Sequence, residues 1–197
     1  RILAVGGPTA NMYGFACQKK LDRGACPDRR CLYPAVCEHL RPDHGRQLAL
    51  LRKIREIPGI KQAIVASGIR YDLLLADRKH GVPYLREVIR RHVSGQMKVA
   101  PEHSEEKVLR CMGKPGTASL LTFRDLFRKL TAEAGKEQFL TYYLIAAHPG
   151  CTQTDMEALR CFAARELALH PEQVQLFTPA PSTISTLMYH TGRDPWN

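Results

Sequence analysis

No stretch of this sequence approaches the ~18 consecutive apolar residues of a membrane-spanning helix, and no secretory signal is visible. These absences point to a cytoplasmic chain without membrane partners. Aromatic residues are only 7% of the whole and are not interleaved with the basic ones, as a base-stacking single-strand binder would require. Acidic residues are also scarce, 19 against 29 lysines and arginines, giving a net charge of +10. That balance favours acidic partners such as nucleic acid, phosphorylated cofactors or anionic surfaces. Much of it, however, reads as solvated helix faces, with Arg46, Arg52, Lys53 and Arg55 on one and Arg86, Arg90 and Arg91 on another. The chain opens on Arg1 rather than methionine, and Ile2 to Val5 already has the character of a buried strand. It is therefore expected to begin inside a fold, as a piece of a longer protein.

What remains is ordinary for a globular chain: 197 residues, 44% hydrophobic, enough for one domain with a sizeable core. Apolar runs at 2–5, 60–66, 96–100, 139–147 and 174–177 read as five strands. Helical spacing separates them. Leu48, Leu51 and Ile54 mark one helix, stopped by Pro58-Gly59; Leu85, Val88 and Ile89 mark another, started at Pro83. A short helix ends near Met112, Phe123 to Leu130 forms a longer one closed by Gly135, and Met156 to Leu167 a third. Strand–helix alternation of this kind implies an α/β fold of parallel strands, in chain order, with helical crossovers. Five strands cannot complete an eight-stranded barrel, so the sheet is expected to be open or part of a barrel.

The cysteines break this rhythm. Residues 10–45 have no sustained periodicity, yet they carry Cys17, Cys26, Cys31 and Cys37, with His39 and His44 just beyond. An insert this long inside a compact domain needs something to hold it. Four thiols could do so by binding zinc or an iron–sulfur unit, in a structural role, although they are not paired as C-x-x-C knuckles. Seven cysteines in total, with no secretory signal, argue against a disulfide framework. Cys111 and Cys161 fall in helices and are expected to be buried as small hydrophobes.

The chemistry is expected at the strand ends. Gln96-Met97-Lys98-Val99-Ala100-Pro101-Glu102-His103 runs from strand into loop, and Ser104-Glu105-Glu106 offers a cap and acids to the following helix. A lysine within an apolar strand is costly unless it faces a polar cavity or snorkels to the rim. Glycine or polar breaks follow every strand: Gly6-Gly7, Ser67 and Arg70, Lys98 with Glu102 and His103, His148, and Thr178. Convergence of such residues on one sheet edge fits a ligand site. Read from the residues, two activities compete: a lyase forming a Schiff base through Lys98, and a metal-ordered basic module whose RNA binding would not depend on the strand-end residues.

Several words of the sequence resemble the YgiQ-like group of radical SAM proteins. They are Gly-Gly-Pro-Thr-Ala-Asn-Met-Tyr (6–13), Ala-Ser-Gly-Ile-Arg-Tyr-Asp (66–72), Lys-Val-Ala-Pro-Glu-His (98–103) and His-Pro-Gly-Cys-Thr (148–152). Val-Gln-Leu-Phe-Thr-Pro-Ala-Pro-Ser-Thr (174–183) and Met-Tyr-His-Thr-Gly (188–192) fit as well, so the likeness covers essentially the whole chain. The resemblance implies one domain over 1–197: a partial (β/α)6, TIM-barrel-like radical SAM core with strands 2 to 6 present and a Cys-rich insert at 10–45. It also implies a [4Fe-4S] cluster, S-adenosylmethionine and a 5′-deoxyadenosyl radical acting on an unidentified substrate. Gly6, Gly7, Pro8 and Thr9 match the turn that receives the cofactor's methionine amino group, with Pro8 where that turn carries an acid. Ser67, Arg70, Lys98, Glu102 and His103 fall where ribose and carboxylate are held, and His148 falls beside the adenine. The cluster-binding C-x-x-x-C-x-x-C run of such enzymes has no counterpart here. Its place is expected upstream of Arg1, and this piece alone is expected to be inactive.

Overall fold

The computed structural model describes residues 1–7, 9–171 and 173–195. It is an α/β fold around a small parallel sheet of order β1-β2-β3, formed by β1 (Gln96–Glu102), β2 (Phe139–Ala146) and β3 (Gln175–Leu176). Lys98 pairs with Thr141 and Val99 with Tyr142, then the register shifts before Glu102 meets Leu144. Pro101 sits at this irregularity, where a residue without an N–H can be tolerated inside a strand.

The two earlier segments, expected as strands at 2–5 and 60–66, do not join the sheet as strands: single parallel bridges link Ile2 to Ala63 and Thr9 to Gly68, and only beyond the second segment does Ile69 bridge to Val99 of β1. The second segment is kept off β1 by a tertiary contact. The Val65 N–H bonds the carbonyl of His92 at the end of a helix, not β1, and only at Ile69 does an N–H reach the Lys98 carbonyl. The ladder therefore stops short of the five-stranded partial barrel expected from the sequence.

The core lies between the sheet and the helices α3 (Tyr71–Ala76), α4 (Gly81–Arg91) and α6 (Thr117–Glu133), and takes in Leu48 and Leu51 of the helix over Gly45–Glu56 that packs on α4. On α4, Tyr84, Leu85, Val88 and Ile89 recur at helical spacing and are wholly buried. Leu120, Phe123, Phe127 and Leu130 do the same on α6, with Phe123 and Phe127 stacked at 6.4 Å. Burial of each such side chain stabilises the fold by about 1.5–3 kcal/mol. The helix α3 had no periodic signal, because six residues are too few to show one. It closes tightly on α4: a Cβ at Gly81 would lie 2.1 Å from the Leu74 carbonyl oxygen, so only glycine fits there.

The insert opens on a single 3-10 turn, Ala10–Met12, in which Ala10 and Asn11 are buried, and then carries one short α-helix, α1 (Gln18–Arg23), with no buried residue. The periodic helix α2 (Gly45–Glu56) follows it. Beyond β1 come α5 (Glu106–Met112), ended by left-handed Gly113, then α7 (Gln153–Glu166) and α8 (Ile184–Thr191). Ser104 does not cap α5 as expected. Glu105 is the N-cap residue, and its N–H is taken by His103 Nδ1 at 3.1 Å. Among the described residues, no helix is long and apolar enough to cross a membrane.

Candidate functional site

A cavity of about 420 Å³ opens at the C-terminal end of β1, within the size range of small-molecule sites. Thr9, Gly68 and Arg70 come from the loops around the first bridges, Asp72 from the first turn of α3, Lys98, Val99 and Glu102 from β1, Lys114 and Pro115 from the turn after α5, and Tyr143 from β2. Two ion pairs dominate it. Arg70 grips Asp72 through Nε, 3.0 Å from Oδ1, and through a close second contact from Nη2. Lys114 holds the Glu102 carboxylate and donates to the Ala100 carbonyl at 2.8 Å.

Glu102 has φ of 67°, a left-handed backbone that costs a non-glycine residue about 1–2 kcal/mol. This geometry turns its carboxylate off the end of the strand toward Lys114. Lys114 is mostly enclosed, and burial pushes its ammonium below the ordinary lysine range despite the opposing pull of Glu102. Lys98, the lysine the sequence singles out, lines the cavity but is exposed.

Arg70 is positioned from behind by a buried polar chain. Asn11 Oδ1 accepts the Arg70 N–H at 2.7 Å, and Asn11 Nδ2 donates to the Arg70 carbonyl at 2.9 Å. Asn11 Nδ2 also lies 3.0 Å from His44 Nε2, while His44 Nδ1 lies 2.9 Å from Asp77 Oδ2. With Asn11 donating, Nε2 must accept and Nδ1 must carry the hydrogen, so His44 is neutral. Burial holds its pKa below the usual value even beside Asp77. Asp43, Asp77 and His80 bring ligand-type atoms within 4.8 Å of one another. Asp77, however, already accepts from the N–H groups of His44, Lys79 and His80 and from the His44 ring, so this group is a hydrogen-bond knot.

The expected site residues divide. Thr9, Arg70, Lys98 and Glu102 meet at the cavity. Gly6 adopts φ of 125° with a Cβ position 2.9 Å from the Ala10 backbone, so it shapes the turn that leads to Thr9, while Gly7 stands in open space. Pro8 lies outside the described residues. Ser67 and the two histidines do not line the cavity. His103 is buried, its Nε2 3.5 Å from Cys151 Sγ. His148 is buried between Ser185 Oγ, 2.8 Å from Nε2, and the edge of Phe177, with Nδ1 against the Pro149 carbonyl. Burial lowers the pKa of both.

Lys114, Asp72, Tyr143 and the Asn11 support are additions the sequence reading missed. The Gly113-Lys114-Pro115-Gly116 run was legible only as a helix stop, although a lysine held between turn residues is a usable signal. The cysteine insert has its own small cavity of about 70 Å³, bordered by Cys17, Cys26, Cys31, Cys37 and His39. At the other end of the strands, Arg1, Arg55, Lys61, Arg90 and Arg91 surround a basic cleft with no aromatic residue in its lining.

No protein-family model matches the chain. Over 192 residues, 98% of its length, it is 60% identical to a UPF0313 protein of Fusobacterium nucleatum subsp. nucleatum, covering 34% of that protein. It is 45% identical to a UPF0313 protein of the archaeon Methanocella arvoryzae, with 98% of this chain and 31% of the relative aligned. A UPF0313 protein of Thermotoga neapolitana is 43% identical, over 99% of this chain and 34% of its own length. The chain thus spans about a third of the length of these curated relatives, and it is similar over nearly all its own length to part of the UPF0313 proteins.

Proposed function

We propose that the strand-end cavity binds S-adenosylmethionine, and that the chain is part of a radical SAM core of the partial-barrel kind its sequence words resemble. One observation carries this reading: anionic Glu102 and Asp72 and cationic Arg70, Lys98 and Lys114 surround a single cavity at the C-terminal strand ends. Charges of both signs around one space suit a cofactor that carries an ammonium, a carboxylate and a sulfonium. Glu102 receives the ammonium, Lys98 or Arg70 the carboxylate, and the half-exposed Tyr143 ring offers a face to the adenine. A [4Fe-4S] cluster supplies the electron that splits the sulfonium in such enzymes. The described residues do not fit that group here, because no cysteine borders the cavity and no three cysteine sulfurs gather within 4.8 Å. Its ligands belong, in this proposal, to the longer protein.

Equilibrium dialysis of the chain against labelled S-adenosylmethionine tests the site. Binding is expected to be weak and to fall at least tenfold in Glu102→Gln and Lys98→Ala. In the longer Fusobacterium relative under reducing, anaerobic conditions, 5′-deoxyadenosine is expected and is lost on the matching glutamate substitution. Equal binding by all three chains, or no 5′-deoxyadenosine from the relative, overturns the reading.

A second reading rests on Lys114. Its depressed ammonium is the property a Schiff-base nucleophile needs, so carbonyl chemistry would use Lys114 rather than Lys98. Borohydride trapping of an aldehyde on Lys114, mapped by mass spectrometry, would favour it over the first.

A further inference from the structure

The segment from Met12 to His39 contains no buried residue, although every one of its positions is described. Leu21 is 69% exposed and Tyr13 51%, so apolar side chains that could have formed a small core point into solvent. Chain entropy costs about 1–2 kcal/mol for each residue fixed, and partial burial, such as that of Phe15 against the His44 ring, offsets little of it here. The backbone is nonetheless folded into a defined shape: α1 is closed by Gly24, and the Cys37 N–H bonds the Cys31 carbonyl at 2.8 Å. What the segment does concentrate is thiols. Cys17, Cys26, Cys31 and Cys37 come from four separate points of the insert, yet all border one cavity of about 70 Å³.

We propose that these four thiols bind a thiophilic metal centre through tetrathiolate coordination, and that the centre, in place of a hydrophobic core, orders the insert. The proposal is independent of what the strand-end cavity binds. All four are free thiols, and none is fully buried, so each is available to lose a proton and take a metal. The basic side chains of Lys20 and Arg29 border the same cavity, Arg29 being also paired with Asp28. Positive groups there offset the net negative charge that four thiolates leave on a divalent ion. The sulfurs are set apart, with no three within 4.8 Å of one another. Around one zinc they would approach to roughly 3.8 Å, so a single ion requires the loops to draw in, whereas a larger iron–sulfur unit requires less movement. Both share the same ligand chemistry. Cysteines joined as disulfides would instead leave no thiolate to bind.

The test uses the intact chain, purified anaerobically with reductant. Metal analysis is expected to find either one zinc, or iron with matching sulfide and a visible charge-transfer absorption, per chain. Which one is present identifies the centre. Each of Cys17→Ser, Cys26→Ser, Cys31→Ser and Cys37→Ser is expected to reduce retained metal at least tenfold, while Cys161→Ser leaves it unchanged. Because a serine variant could lose the insert's fold for other reasons, the wild-type chain supplies a second measurement. Iodoacetamide should spare the four insert thiols while modifying Cys161, until a chelator exposes them. Metal-free protein with four freely alkylated insert thiols overturns the proposal. So do disulfides among these cysteines under reducing conditions, or metal retained when all four are serine.

Discussion

The carboxylate of Glu102 and the ammonium of Lys114 meet 2.5 Å apart at the floor of the strand-end cavity, and the two residues hold each other in otherwise costly states. Glu102 keeps a left-handed backbone, and Lys114 keeps a charge in an enclosed place. Their removal should therefore not be symmetric. Lys114→Met leaves the strained glutamate with an unpaired, mostly enclosed carboxylate and should cost roughly 1–3 kcal/mol. Glu102→Gly strands the enclosed Lys114 in the same way but relieves about 1–2 kcal/mol of backbone strain, so it should cost about 1–2 kcal/mol less than Lys114→Met. Urea unfolding of both variants measures the difference. Equal losses would mean that the left-handed turn carries no strain.

Asn11 links the cysteine insert to Arg70. Its amide satisfies both the N–H and the carbonyl of Arg70 and also serves His44 Nε2, which is wholly buried. Asn11→Leu strands those groups without partners, and each such group costs about 1–3 kcal/mol. A loss of roughly 2–4 kcal/mol in unfolding free energy is expected, together with weaker ligand binding, because Arg70 is no longer held against Asp72. Asn11→Asp tests the hydrogen-bond pattern itself. It keeps the acceptor for the Arg70 N–H but removes the donor, so it should retain part of the stability at neutral pH. A leucine variant as stable as wild type would show that Arg70 is positioned by Asp72 alone.

The sequence made the amphipathic elements legible because their signal repeats within the element. The helices α2, α4 and α6 carry three or more apolar residues on one face, and each was found, although α6 begins at Thr117, six residues before the Phe123 that marked it. The apolar runs at 96–100, 139–147 and 174–177 do mark the three strands of the sheet. Ile2 to Val5 and Ile60 to Ala66 have strand composition and bond to each other, but the second is kept off β1 where its Val65 N–H turns to the distant His92 carbonyl, which no local pattern encodes. At the site, Lys98 drew notice because a charge interrupts an apolar run, and it does reach the cavity. Lys114 escaped because its enclosure comes from β1 passing over a turn, a tertiary fact. His148 looked like a strand-end ligand, yet it is occupied by Ser185, thirty-seven residues further along.

Four buried histidines set the response to acid. Burial lowers the pKa of His44, His92, His103 and His148, each of which is 4% exposed or less. The unfolded chain takes up protons on these rings near the ordinary value of 6.5, whereas the folded chain resists until lower pH. Stability is thus fully present above about pH 6.5 and declines as pH falls below it, by at most about 1.4 kcal/mol per pH unit for each ring. Carboxylates do not obscure this window. Those held low, such as Asp77 and Asp155, lose their contribution only below the ordinary carboxyl value of 3.8. The urea midpoint should accordingly be lower at pH 5.5 than at pH 7.5, and His92→Gln should flatten the slope. A midpoint that is constant or rises on acidification would mean that these rings titrate normally in the folded chain.

The last expectation concerns what the chain cannot do by itself. Reductive cleavage of a bound sulfonium needs iron with an open position beside the cofactor, and thiolates must hold that iron at the mouth of the cavity. Cys151 is the cysteine placed toward this edge, in the loop after β2, and its neighbour is His103 rather than a second thiol. Burial pushes its thiol above the ordinary range, so it is a poor thiolate as well as a single one. The insert sulfurs border a different cavity, which shares no lining residue with the strand-end cavity. Supplied anaerobically with iron, sulfide and reductant, the chain should load metal at the insert if it loads any, and should form no 5′-deoxyadenosine from S-adenosylmethionine. The longer relatives should form it under the same conditions. Turnover by the isolated chain that disappears in Cys26→Ser or Cys37→Ser would instead place the catalytic iron in the insert, and the separation of the two cavities would have to close in solution.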